Sequence, residues 1–109
     1  MLLFARVHFL AGEWDAVNPA RLDRDLRELG LYGDEIEAAL ISAIDEIHPR
    51  DYGGQYPPEL AHEDDIDGAE MFVFKWVSAS RECRMYIKFC RFNDTLNLIS
   101  FHKQRREPK

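Results

Sequence analysis

The chain has 109 residues, of which 46% are hydrophobic and 31% are charged, and its formal charge at pH 7 is −6. This length predicts a single domain over residues 1–109, and the composition is typical of a soluble globular protein. Arg6 and His8 interrupt the apolar start of the chain, and no apolar run approaches the roughly 18 residues that span a bilayer. We therefore expect a cytoplasmic protein without a signal peptide or a membrane partner.

The first half of the chain predicts one strand followed by two helices. Apolar residues alternate along Leu3–Leu10, which favours a strand that ends at Gly12. Asn18 and Pro19 are typical of a helix start, and Gly30 is typical of a helix end. The apolar stripe of this helix consists of Leu22, Leu26 and Leu29.

A second helix is predicted to begin at Asp34, with Glu37 completing a capping box. It should end before His48, because Pro49 disfavours helical backbone at the residue that precedes it. The buried face of this helix is predicted to consist of Ile36, Leu40, Ala43, Ile44 and Ile47. The next segment, Arg50–Gly68, has no regular pattern, and so long a loop in a small domain is usually functional or mobile.

Three strands are predicted in the last third of the chain, at Met71–Ser78, Cys83–Phe92 and Leu96–Lys103. The aromatic residues of the first of these strands share one face, which favours a place in the core over stacking on nucleic-acid bases. Together the elements predict an α+β fold. In it, two N-terminal helices pack on a twisted antiparallel β-sheet of about four strands.

Charge is divided unevenly along the chain. Residues 1–70 hold 17 Asp or Glu and 5 Arg, whereas residues 71–106 hold 2 acidic and 8 basic residues. Such an asymmetry indicates an anionic partner, or contact between the acidic and basic parts inside the protein. The acidic run His62–Asp67 could offer oxygen ligands to a divalent cation, but it lacks the spacing of an EF-hand, so a solvated loop is favoured.

The last two strands predict a hairpin with a three-residue loop, Asn93–Thr95, in which Phe92 pairs with Leu96. This register is favoured because it gives one face of the hairpin two apolar cross-strand pairs, so that face can be buried. The two pairs are Ile87 with Phe101 and Phe89 with Ile99.

The other face of the hairpin is polar and basic. There Tyr86 faces His102 and Lys88 faces Ser100, with Arg84 on the same strand. An imidazole transfers protons near neutral pH, and cations stabilise charge on phosphoryl oxygens, so this face suits a phosphate that is being cleaved. RNA cleavage would need no metal here, because the 2′-hydroxyl can be the nucleophile. A polar sheet face that is only solvated explains the same pattern, and this alternative stays open.

Five segments of the chain carry a resemblance to a known family. They are ARVHF at Ala5–Phe9, LRELGLYGDEIEAAL at Leu26–Leu40, PRDYG at Pro49–Gly53, MYIKF at Met85–Phe89 and LISFHK at Leu98–Lys103. Their order and spacing resemble those of the MqsR-type toxins (motility quorum-sensing regulators), a branch of the RelE-like bacterial mRNA interferases. In that family a strand similar to VYVKF precedes a final strand similar to VVSFKE.

The resemblance implies a small α+β endoribonuclease, the toxin of a type II toxin–antitoxin system, which pairs with a cognate antitoxin and needs no cofactor. By position, Tyr86 matches the family's strand tyrosine and would position or polarise the phosphate. His102 falls where the family has its terminal catalytic lysine and would act as general acid or base. The RNA backbone would be held by Arg84, Lys88, Lys103 and Arg105. The family's other lysine would fall within Asp51–Gln55, where this chain has none.

A second interpretation belongs to another functional class. In it, the chain is a non-catalytic module of the same fold that binds a protein partner through an acidic face. The acidic composition of residues 1–70 favours this interpretation, whereas the basic hairpin favours the ribonuclease. The sequence alone leaves both possible.

Overall fold

Three helices and four strands make up residues 1–104, the part of the chain that the computed structural model describes. The helices are α1 (Leu2–Ala11), α2 (Pro19–Glu28) and α3 (Asp34–Glu46). The strands are β1 (Trp14–Ala16), β2 (Met71–Ser78), β3 (Cys83–Phe92) and β4 (Thr95–Lys103). They form one sheet in the order β1-β4-β3-β2, in which β1 runs parallel to β4 and the other neighbours are antiparallel. The predicted α+β class is confirmed.

The helices pack on one face of the sheet, and the main core lies between the two layers. The helical part of this core includes the apolar stripes predicted for α2 and α3: Leu22, Leu26, Leu29, Leu40, Ala43, Ile44 and Ile47. The sheet supplies Phe74, Trp76, Met85, Ile87, Phe89 and Phe101. The aromatic side chains of β2 therefore lie in or against the core, as the sequence predicts.

The segment predicted as the first strand is helix α1, so this prediction was wrong. Nearly every position of Leu2–Leu10 is apolar, and such a run fits a helical period as well as a strand period. Helical spacing places Ala5 and Phe9 on one side of α1, where both are fully buried. Gly12 then ends the helix in the left-handed conformation, with φ of 68°. As a result the sheet is mixed rather than antiparallel, and three helices rather than two precede β2.

The other two helices differ in how they begin. The side-chain oxygen of Asn18 accepts a hydrogen bond from the Arg21 N–H at 3.1 Å, so the predicted cap of α2 is confirmed. The N-cap of α3 is Gly33, and no side chain caps this helix. The capping box predicted for Glu37 was therefore wrong. Its carboxylate lies against Gly12 instead, where an added Cβ would come within 3.1 Å of Oε2.

The hairpin of β3 and β4 combines a shorter turn with a bulge. Asn93 and Asp94 form a two-residue turn with φ of 50° and 59°, so the predicted three-residue loop was wrong. Phe89 pairs with Leu98 rather than with Ile99, and Lys88 then pairs with Ser100. Ile99 is thus an extra residue in β4, a β-bulge that changes the register by one. Beyond it, the predicted pairs Tyr86–His102, Lys88–Ser100 and Ile87–Phe101 are confirmed.

The face of the sheet away from the helices is covered over about half its length by the irregular segment before β2. A second small core forms there from Ala61, Ile66, Ala69, Met71, Cys90 and Ile99. Cys90 is fully buried in it, and this burial raises the pKa of its thiol to about 11. The acidic residues of the segment, between His62 and Asp67, remain exposed. Tyr86 lies on the same face, outside this second core, and stays partly exposed.

Glu46, the last residue of α3, holds the turn between β2 and β3. Its Oε1 accepts from the Ser78 hydroxyl at 2.7 Å and from the Trp76 indole N–H at 3.3 Å, and its Oε2 accepts from the Ser80 N–H at 2.9 Å. Partial burial raises the pKa of Glu46, but these hydrogen bonds outweigh it, and the net pKa lies below its ordinary value. The carboxylate therefore fixes the end of a helix to the sheet.

We predict that Glu46→Gln destabilises the fold by about 1–2 kcal/mol, because an amide nitrogen cannot accept the Ser80 N–H. The folded pKa is the lower one, so the contribution of Glu46 is complete above the ordinary value of 4.5 and is lost as the pH falls through the folded value. Urea unfolding of wild type and variant should show a difference near neutral pH that shrinks in acid. Glu35→Gln, on an exposed site of the same helix, is the control. An equal loss in both variants would contradict this role.

Candidate functional site

A row of three side chains crosses the face of the sheet away from the helices, and its last member, His102, is buried. Lys75 of β2 pairs with Tyr86 of β3, and Tyr86 pairs with His102 of β4. The rings of Tyr86 and His102 stack, with centroids 4.7 Å apart and planes inclined by 8°. The structure therefore brings together the two residues that were predicted to be catalytic. It also places the cation of Lys75 on the side of Tyr86 away from His102.

The hydrogen bond made by His102 assigns its two ring nitrogens. Nδ1 lies 2.7 Å from the carbonyl oxygen of Lys103, and a carbonyl can only accept, so Nδ1 carries a hydrogen. In the neutral ring Nε2 is then the nitrogen with the free lone pair, and it can take up and release a proton. The His102 residue is only 8% exposed, because Tyr86 covers one side of the ring and α2 packs beside β4.

Tyr86 is half-buried and stays a neutral phenol at physiological pH. Burial raises its pKa, the Glu59 carboxylate raises it further, and Arg21 acts in the opposite direction without cancelling the increase. A neutral phenol can donate its hydrogen to an anionic oxygen. The two charges that act on it come from opposite sides of the row, since Arg21 belongs to α2 and Glu59 precedes β2.

A groove of about 250 Å³ opens beside the row. Lys75, Tyr86 and Lys88 form its sheet side, and Gly53–Gln55 and Glu59 form its wall. Its two ammonium groups and one phenol suit an anionic group. The single carboxylate adds an acceptor that can also take up a proton.

The wall of the groove is held against β2 by the backbone. The Gly53 N–H donates to the Val73 carbonyl at 2.9 Å, and the Met71 N–H donates to the Glu59 carbonyl at 2.8 Å. The Lys75 side chain lies across Gly53, where an added Cβ would come within 3.3 Å of its Cγ and Cδ. At Gly54 an added Cβ would stand only 2.6 Å from the Tyr52 hydroxyl oxygen. Glycine at position 53 lets the wall approach β2 this closely, and glycine at position 54 leaves room for the Tyr52 hydroxyl.

The remaining predicted site residues fall in different places. Lys88 lines the groove and Arg84 is exposed on the same strand, two residues from Tyr86. Lys103 pairs with the buried residue Met85, so it lies on the other side of β4 and does not join the row. Arg105 lies outside the described residues.

Three charged residues at or near the groove are not in the predicted set. Lys75 could have been found from its alternation with the aromatic residues of β2, but the pairing of β2 with β3 was not assigned from the sequence. No sequence pattern predicts a role for Glu59, because it lies in a segment without hydrophobic periodicity. Arg21 looked like any exposed residue of an amphipathic helix, and only the packing of α2 beside β4 brings it near Tyr86.

Two further features concern metals and membranes. Within residues 1–104, no three His, Cys, Asp or Glu side chains converge in a way that could hold a metal ion. The exposed acidic residues Glu63 and Asp65 instead line a broad groove with Arg21, at the start of α2. None of the helices in this part of the chain has the length and apolar character needed to cross a membrane.

No protein-family model matches the sequence, and no curated protein matches it either. The resemblance to MqsR-type toxins therefore remains a prediction that rests on the five short segments.

We predict that Lys75→Met and Lys88→Met each weaken the binding of single-stranded RNA about three- to tenfold at low salt. Each variant should also lower the slope of log K against log salt by about 0.7, because one phosphate contact is lost. Fluorescence anisotropy with a labelled oligonucleotide measures both quantities. Lys103→Met, on the other side of β4, is the matched control and should change neither. The interface is elsewhere if all three variants lose affinity equally.

Proposed function

We propose that this protein is a metal-independent endoribonuclease of the toxin type. It acts on RNA in the cytoplasm and is held inactive by a cognate antitoxin. The observation that carries the proposal is the row Lys75–Tyr86–His102 beside an accessible groove. It places an imidazole against a neutral phenol, with cations beside the phenol in the groove.

The cations and the phenol would hold the phosphate. Lys75 and Lys88 would bind its non-bridging oxygens, and the Tyr86 hydroxyl would donate a hydrogen bond to one of them. Charge on these oxygens increases as the phosphorus becomes five-coordinate, so the same contacts become stronger in the transition state. In this arrangement the sheet supplies electrostatic stabilisation before the reaction starts.

Proton transfer needs both a base and an acid. Glu59 lines the groove, and His102 lies behind Tyr86, against whose ring it stacks. Glu59 would accept the proton of the 2′-hydroxyl as the 2′-oxygen attacks the phosphorus. His102, protonated at Nε2, would give its proton to the 5′-oxygen as the bond between phosphorus and that oxygen breaks. The products are a 2′,3′-cyclic phosphate and a 5′-hydroxyl. Glu59 adjoins β2 and His102 belongs to β4, so base and acid would act from opposite sides of Tyr86.

Lys75 also bears on the resemblance. The MqsR-type pattern places a lysine within Asp51–Gln55, and this chain has none there. The Lys75 side chain reaches from β2 across Gly53, in the middle of that segment. A cation from the sheet would thus occupy the place of a cation from the loop.

The second candidate function is the non-catalytic module that binds a protein partner. A separate observation favours it: helix α1 exposes large apolar residues on the side away from the core. A toxin with an antitoxin would need such a surface too, so the two functions differ in RNA cleavage rather than in partner binding.

We predict that induced expression of the wild type arrests growth and degrades cellular mRNA, whereas Tyr86→Phe and His102→Gln do neither. Each substitution should lower the cleavage rate of a purified RNA oligonucleotide by about 10²-fold or more. Tyr86→Phe keeps the ring that stacks on His102, so it separates loss of the hydroxyl from loss of the fold. Thermal unfolding should be measured on the same samples, with Lys103→Ala as a control that stays active. A folded wild type that leaves RNA intact would leave only the protein-binding module.

We predict that Glu59→Gln lowers the cleavage rate about 10²-fold, because the amide cannot accept a proton. Binding of an all-deoxy oligonucleotide, which lacks the nucleophile, should be unchanged or tighter, since a negative charge has been removed from the groove. Glu63→Gln, an exposed site in the acidic run, is the matched control. If Glu59→Gln weakens binding and leaves the cleavage rate of bound RNA intact, Glu59 contacts the substrate but is not the base.

A further inference from the structure

Helix α1 is apolar on two opposite sides, and the domain covers only one of them. Ala5 and Phe9 are fully buried against the core. On the opposite side Leu3, Val7 and Leu10 are 74%, 53% and 54% exposed. Their spacing of four and then three residues aligns them in one stripe, which we call the α1 stripe. Arg6 and His8 separate the two apolar sides, and an apolar helix side normally packs against another element, a contact that the described residues do not give to the α1 stripe.

The apolar surface continues beyond the N-terminal end of α1. Leu3 also lines a groove of about 300 Å³ between the start of α1 and the segment before β2. Tyr52, Phe72 and the 84% exposed Tyr56 line the same groove. Single exposed apolar side chains are ordinary, but a continuous patch of this kind marks an interaction surface on a domain this small.

Helix α3 forms the flank of the α1 stripe. It runs antiparallel to α1. Arg6 of α1 pairs with Asp45 near the end of α3 at 2.7 Å, whereas Gly12, just after α1, lies against Glu37 near the start of α3. The outward residues of α3 lie about one helical turn apart and are all exposed: Glu35, Ala38, Ser42 and Asp45. Two small residues between two carboxylates leave room for a third helix to lie along α1 and α3.

Charge decides which occupant fits this surface. Residues 1–70, which contain both helices, carry a formal charge of −12 from 17 carboxylates and 5 arginines. A second copy packed on the same surface would bring two such regions together, and their repulsion opposes that pairing. A helix with basic residues along its edges would meet the exposed Glu35 and the half-exposed Asp45, which also pairs with Arg6, with opposite charge.

We propose that the α1 stripe and the outward side of α3 bind an amphipathic helix of a partner protein. Its apolar residues would contact Leu3, Val7 and Leu10, and its Lys or Arg residues would face the carboxylates of α3. The surface shares no described residue with the Lys75–Tyr86–His102 row. The inference therefore stands whether or not the protein cleaves RNA.

Synthetic peptides of about 18 residues provide the probe, since this length suffices for an amphipathic helix on binding. The first has leucines on one helical face and lysines beside them. The second has the same composition with the leucines scattered, and the third has glutamate in place of lysine. Fluorescence anisotropy with the full chain should give an affinity for the first peptide at least about tenfold higher than for the other two.

The variant Val7→Glu places a charge in the middle of the α1 stripe, at a residue exposed enough to leave the fold intact. It should lower the affinity for the first peptide about tenfold, and Leu10→Glu should do the same. Val77→Glu, on the 69% exposed Val77 of β2, is the matched control and should have no effect. Circular dichroism checks that each variant is folded.

Two results would overturn the proposal. Equal binding of the first and second peptides, or no effect of Val7→Glu, would mean that only net charge attracts them. A dimer in sedimentation experiments that Val7→Glu dissociates would assign the α1 stripe to a second copy of the chain instead. Loss of RNA cleavage plays no part in either result, so the two proposals fail independently.

Discussion

The extra residue in β4 is the constraint on which both the core and the groove depend. A strand alternates its side chains between two faces, and the tight turn at Asn93 and Asp94 fixes the register from one end. Continued unchanged, that register would turn His102 towards the helices and expose Phe101. The bulge at Ile99 reverses the alternation, so Phe101 enters the core and His102 joins Tyr86.

The groove lies between the regular β-sheet and the irregular segment before β2. Strands β2, β3 and β4 hold Lys75, Tyr86 and His102 in adjacent positions, and the ring stack restricts both rings. The wall contributes the carboxylate of Glu59, and the backbone bonds of Gly53 and Glu59 to β2 keep it in place. The sheet thus holds three of the candidate site residues in a fixed register, and the loop supplies the exposed carboxylate.

Sequence reasoning succeeded where one period dominated and failed where two were equally possible. Strands β2 and β3 have the predicted bounds, because aromatic and β-branched residues alternate clearly. The strand predicted over Leu3–Leu10 is helix α1. The prediction was wrong because the exposed side of this helix is as apolar as its buried side, and the same property suggests a partner. The hairpin loop was wrong by one residue, yet Tyr86 still met His102, since the bulge supplied the missing residue. Glu59 could not be found, because only tertiary bonds give its segment a fixed place.

The wall of the groove has one more consequence, for the solubility of the protein. Strand β2 is one of the two outer strands of the sheet, and such a strand offers free N–H and carbonyl groups to other chains. Bridges from Tyr52 to Phe74 and from Leu60 to Glu70 occupy part of that edge in the manner of an interrupted fifth strand. Substitutions that loosen this segment would therefore expose a pairing edge as well as move Glu59. The segment that forms the wall of the groove thus also protects an edge of the sheet from pairing with other chains.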